Sequence, residues 1–242
     1  MQNTFLLRHL RRLTRQDLRD LRKLVRSPYF NQRDDVARLF DHLAGAVEGK
    51  LPEGAVQKEA VWQAAFPGQP FDDKTLHYAA SFLLKLVRQH LALTEAMQDE
   101  LQQQLYLCRA LRKRGLDESF EKELAAADAL QQRQSRRNTR YHYDRYLLEQ
   151  ERAAHTLQQR RSGEMNLQAV HDELTTFFLA ETLRQSCTVL THQTMSRQAY
   201  RLQLLDAVLA HVGAGGFDEV PAVAMYHHAF QALAGGNQPK NQ

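Results

Sequence analysis

From Arg8 to Arg26 the cations Arg8, Arg11, Arg12, Arg15, Arg19, Arg22, Lys23 and Arg26 recur at the i, i+3, i+4, i+7 spacing of one α-helix face. At about 100° per residue all eight fall within about 60° of one direction. A guanidinium stripe of this kind tracks phosphates or another anionic surface. A second tract, Arg133, Arg136, Arg137 and Arg140, repeats the spacing and runs into Tyr141, Tyr143 and Tyr146, whose rings can stack on bases. The arginines at 8, 11, 12, 15, 19 and 22 and the four of the second tract are the candidate anion or nucleic-acid face. Each tract also has a plain reading, as a solvated helix face and as tyrosines that cover a neighbouring helix.

Other chemistry is absent from the sequence. No H-E-x-x-H, Glu-x-x-His pair or C-x-x-C supplies a metal-ligand spacing; Glu151 and His155 share a face at i, i+4, while the adjacent His227 and His228 point apart. There is no G-x-S-x-G, and Gly213 to Gly216 lacks the lysine and hydroxyl of a phosphate loop. The helix-turn-helix order of Gln57 to Leu91 opens its second helix with Asp72 and Asp73, the wrong sign for phosphates. The expectation is a protein without catalytic residues, metal or cofactor.

The elements that would carry these faces are helices. Leu6, Leu7, Leu10, Leu13, Leu18, Leu21, Leu24 and Val25 lie opposite the first stripe, giving the segment one face to bury. Thr14 with Asp17 three residues on resembles an N-cap for the segment through Val25, although the charge stripe runs through in phase, which leaves one helix or two open. Ser27-Pro28 stops the segment, and Asn31 is placed to cap a helix running to about Val47. A short helix at 57–66 and a Pro-Gly-Gln-Pro turn lead to a long one capped at Asp72 or Asp73, with two apolar stripes and therefore neighbours on two sides. Beyond it, segments read as pairs: 96–114 with 117–134, 138–161 with 166–192, and 196–212 with 218–234. In 166–192 apolar residues fall on two sides, Leu167, Val170, Leu174 and Phe177 on one and Leu179, Leu183, Cys187 and Leu190 drifting to another, and the last pair is expected to leave Val220, Val223, Ala224, Tyr226 or Phe230 partly uncovered. No strand is legible, and no strict period of about 33 or 34 residues appears.

Net charge is only +4, concentrated as +6 over 8–26 and +5 over 133–161. With Cys108 and Cys187 the only cysteines, and no apolar run approaching the roughly 20 residues that span a bilayer, the chain reads as soluble and cytoplasmic, with reduced thiols.

The opening helix followed by Ser27-Pro28-Tyr29-Phe30-Asn31 resembles a family of uncharacterised bacterial all-helical proteins with an S-P-[YF]-F-N stop, built of helical-hairpin, tetratricopeptide-like repeats. The segment Leu174 to Cys187 is similar to the repeat helices of that group. The resemblance implies tandem helical repeats in the cytoplasm and carries no site residues. Together these readings predict an all-α chain, an irregular, α-solenoid-like stack of antiparallel helix hairpins at 96–242 after an N-terminal helical module at 1–95. Such a chain is expected to bind a macromolecule, with a protein partner or self-association favoured. The alternative is a nucleic-acid-binding module using the basic faces at 8–26 and 133–145.

Overall fold

The computed structural model describes residues 4–52, 54–159, 165–196 and 198–236. Among these the protein is all-α, with eleven helices and no strand. The chain divides into two compact units, Met1–Gln98 and Asp99–Gln242.

The first unit holds α1 (Phe5–Leu10), α2 (Arg15–Val25), α3 (Asp34–Val47), α4 (Lys58–Ala65) and α5 (Asp73–Ala96). The arginine stripe is split between two helices. Thr14 takes an extended backbone, its hydroxyl accepts from the Asp17 amide at 3.1 Å, and its own amide donates to Asp17 Oδ2 at 2.8 Å. This reciprocal pair satisfies donors that a continuous helix would have bonded backwards, so the helix ends and restarts although the charge spacing runs through in phase. Leu6, Leu7, Leu10, Leu18, Leu21 and Val25 are buried, and α1 and α2 pack against α3 and α5.

Asn31 does not cap α3. Its Oδ1 accepts from the Arg33 amide at 2.9 Å and its Nδ2 donates to Val25 O at 2.8 Å and Arg33 O at 3.0 Å. It therefore ties the end of α2 to the start of α3, whose N-cap is Arg33. Trp62 of α4 is buried, stacks on Phe66 and donates Nε1–H to Gln69 O at 3.0 Å, closing the turn in which Gly68 takes a positive φ of 75°. Asp72 then caps α5 by accepting from the Lys74 amide.

The second unit runs α6 (Glu100–Arg112), α7 (Asp117–Gln132), α8 (Thr139–Gln159), α9 (Leu167–Ser196), α10 (Leu205–Gly213) and α11 (Pro221–Gly236). α6 and α7 pack through Leu101, Leu105, Cys108, Phe120 and Leu124, joined by Leu148 of α8. At the far side Leu179, Ala180 and Leu183 of α9 meet Val208 and Val212 of α10 and Ala222 and Val223 of α11.

One expectation fails in this unit and two hold in part. The helix placed at 196–212 begins only at Leu205, after non-helical residues and a left-handed Leu204 at φ 60°. Of the two apolar sides of α9, the one with Leu179 and Leu183 is buried, Cys187 and Leu190 being half-buried, whereas on the other Leu167 and Leu174 are exposed and Val170 and Phe177 half-buried. In the last pair, Val220, Ala224 and Tyr226 are half-buried, as expected, while Val223 and Phe230 are buried; the large apolar residues that α11 exposes are Met225 and Leu233. No helix among the described residues is long and apolar enough to cross a membrane.

Candidate interaction surface

The two arginine tracts fall in different units and have different fates. On α2, Arg22 Nε and Arg26 Nη2 clamp the two oxygens of Asp41 at 3.0 and 2.8 Å, and Lys23 pairs with Asp20. Arg19 lies back on Arg15 O and the Arg15 charge acts on Glu48, while Arg11 and Arg12 are exposed and have no partner among the described residues. Arg8 stands 4.4 Å over the Phe5 ring. The working positive charge of the first tract is thus at its α1 end and the loop after it, not along α2.

The second tract is not a helix face. Arg133, Arg136 and Arg137 lie in the connection after α7, with Arg137 against the Tyr141 ring. Arg140, in the first turn of α8, is engaged by Asp144 at 3.0 Å and Asp99 at 2.8 Å. Tyr141 is buried, and Tyr143 and Tyr146 are half-buried, with Tyr143 against Phe177 of α9. Rings packed in this way offer no open platform for stacking bases.

Beside α1 lies a feature with no motif to announce it. Phe5 and Arg8 stand between two open depressions and line both. One, about 330 Å³, is floored by Leu76, Ala80 and Leu84 of α5, with Ser81, His77 and the Lys58–Asp73 ion pair at its edge. The other, about 600 Å³, runs past Arg11, Arg12 and Leu13 to Leu91. Phe5 is 63% and Leu91 41% exposed, so apolar surface here meets water. Leu76, Ala80, Leu84 and Leu91 share one side of α5 by spacing; Leu76 is buried, Ala80 and Leu84 are half-buried and Leu91 is exposed, so the stripe opens toward its Leu91 end.

The second unit holds most of the buried charge. Glu151 sits between Arg109 Nε at 2.6 Å and Arg112 Nε at 2.8 Å. Glu149 is held by Arg145, Arg152 and Asn166. Burial pushes the Asp144 carboxyl above its usual range despite Arg140. For Glu173 burial acts the same way, yet the hydrogen bond from His142 and the charges of His142 and Arg145 outweigh it, so its pKa is lowered. His155 is turned from Glu151 onto Asp117 at 3.0 Å and stacks on Phe120. Among the described residues no cluster of three or more His, Cys, Asp or Glu could hold a metal ion.

Burial pushes the Cys108 thiol up to about 11 and raises that of Cys187 less far. At pH 8 a two-unit rise leaves roughly a hundredfold less thiolate than an ordinary cysteine has, and the thiolate is what reacts. Native protein titrated with a disulfide reagent at pH 8 is expected to modify Cys187 first and Cys108 only on unfolding. Equal rates would show that the α6–α7 core is open.

No protein-family model, curated protein or solved structure matches the chain.

Proposed function

We propose that this is a non-enzymatic interaction protein that holds a protein partner, with the binding surface beside α1 in the first unit. One observation carries the reading: an apolar floor that runs from the half-buried Ala80 and Leu84 to the exposed Leu91, bordered by exposed, unpaired Arg11 and Arg12. Exposed apolar surface rimmed by polar groups is the ordinary character of a protein-binding site. In this reading α6 to α11 are successive hairpins of an irregular, solenoid-like stack that acts as scaffold in the cytoplasm.

A photo-crosslinking amino acid installed at the exposed Ser81 tests it in native extract. A discrete protein adduct that survives nuclease treatment is expected. Loss of the adduct with nuclease, or no adduct at all, would overturn the reading.

A second reading has its own observation. Gln16, Arg19, Arg22, Lys23 and Arg26 line a shallow depression of about 360 Å³ with no carboxylate in its lining, a shape that admits a phosphate backbone. Nucleic acid held there would lose affinity steeply with salt, by about 0.9 log unit per phosphate contact for each tenfold rise. Asp41 and Asp20 already neutralise three of those cations, which weakens this alternative.

A further inference from the structure

Resting on the protein-partner reading, we propose that the groove beside α1 takes an acidic amphipathic helix laid along α5. Leu76, Ala80 and Leu84 follow one another at i, i+4, i+8, so they form one face, and Leu91 continues it at the far end. Between the leucines stand the small residues Ala80 and Ser81, which leave a notch, while Phe5 forms the opposite wall. A notch between two apolar steps accepts one large side chain, and the leucines on either side accept its neighbours one turn away. From Leu76 to Leu91 the helix rises about 22 Å, the length of four turns. Apolar anchors at i, i+3 or i+4 and i+7 on a partner helix match this spacing.

The charge fixes the sign of the partner. Arg8, Arg11, Arg12 and His9 border the second depression, and among the described residues the only carboxylate lining either one is Asp73, already bound to Lys58 Nζ at 2.5 Å. A helix with glutamates flanking its apolar stripe finds complementary guanidiniums there, and a basic helix finds repulsion. Nucleic acid would use the cations but leave the apolar floor wet. A second copy of this chain is a poor occupant. Its most acidic helix, α7, buries Phe120 and Leu124 in its own unit and exposes alanines with Glu118 and Glu121.

The test uses the full chain and a labelled sixteen-residue helical peptide, designed with leucines on one stripe and glutamates elsewhere, followed by fluorescence anisotropy. Replacing its glutamates by lysine, or its leucines by serine, is expected to weaken binding at least tenfold. Ser81→Trp fills the notch from an exposed position and is expected to do the same. Arg12→Glu, at an exposed residue without a partner, should cost about fivefold while leaving the fold intact. The proposal is overturned if the lysine peptide binds as well, if the glutamate peptide does not bind, if Ser81→Trp has no effect, if duplex DNA displaces the peptide, or if Ser81→Trp instead breaks a self-associated form. A Ser81 crosslink to a partner segment that is not acidic would end this inference and leave the protein-partner reading standing. Absence of any Ser81 crosslink would end both.

Discussion

Trp62→Ala is expected to lower the stability of the first unit by about 3–5 kcal/mol, the usual cost of emptying a large aromatic site in a core. The indole is 2% exposed, stacks on Phe66 with ring centroids 4.3 Å apart and meets the edge of Phe71 at 5.6 Å. Its Nε1–H also fixes Gln69 O, so one side chain holds both the α4 packing and the turn that launches α5. Removing it leaves a void between α4 and the following turn and a carbonyl to be resatisfied by water. For a unit of this size the loss corresponds to a fall in melting temperature well above 10 °C. Urea unfolding followed by circular dichroism measures it, since Trp62 is the chain's one tryptophan and the variant has lost that fluorophore. Trp62→Phe keeps most of the stacking and gives up the hydrogen bond, for about 1 kcal/mol. A Trp62→Ala loss below 1 kcal/mol would mean that the α4 contact adds little to the unit.

The residues that made the first unit readable act locally. The leucines of α1 and α2 declare their face by spacing, and Ser27-Pro28 stops α2 because the residue before proline is driven out of the helical region. Thr14 with Asp17 reads as an N-cap, yet the cation spacing continues through it, and these two local signals disagree. The hydrogen bonds at Thr14 decided the matter. Asn31 shows the limit of such reading. Its short polar side chain suits a cap, but its position 7% exposed beneath Val25 O depends on how α3 turns back.

Long-range placement explains what was not legible. On α9 the apolar pattern names two stripes without saying how each is covered: α10 and α11 pack on the side of Leu179 and Leu183, while α8 meets Phe177 and Glu173. Arg140 looked like a free cation in a basic tract because Asp99, its second partner, is 41 residues away. The groove beside α1 is a more extreme case. Phe5 and Leu91 line one depression from opposite ends of the first unit, and no local pattern brings them together.

The buried charges of α8 were equally hidden, and they lead to the second large effect. Glu151→Gln is expected to destabilise the second unit by about 2–3 kcal/mol, although the amide has nearly the shape of the carboxylate. Glu151 is 4% exposed and takes Nε–H bonds from Arg109 and Arg112, two cations one helical turn apart on α6. With the charge gone, both guanidiniums face a neutral amide whose one oxygen cannot serve both equally. Arg112, with a side chain 14% exposed, has little water to turn to. Arg109 is 38% exposed, so Arg109→Ala removes a screened, replaceable contact and should cost less than about 1 kcal/mol. Arg112→Ala leaves Glu151 with one partner and should fall between the two. That ordering follows from burial, and a thermal series on the three variants reads it directly. If Arg109→Ala proved as costly as Glu151→Gln, the pair at Arg109 would be carrying the contact and Arg112 would be a spectator. If Glu151→Gln were neutral, the ion pairs would offset only their own desolvation, and apolar contacts such as Leu105, Phe120 and Leu148 would hold α6, α7 and α8 together without them.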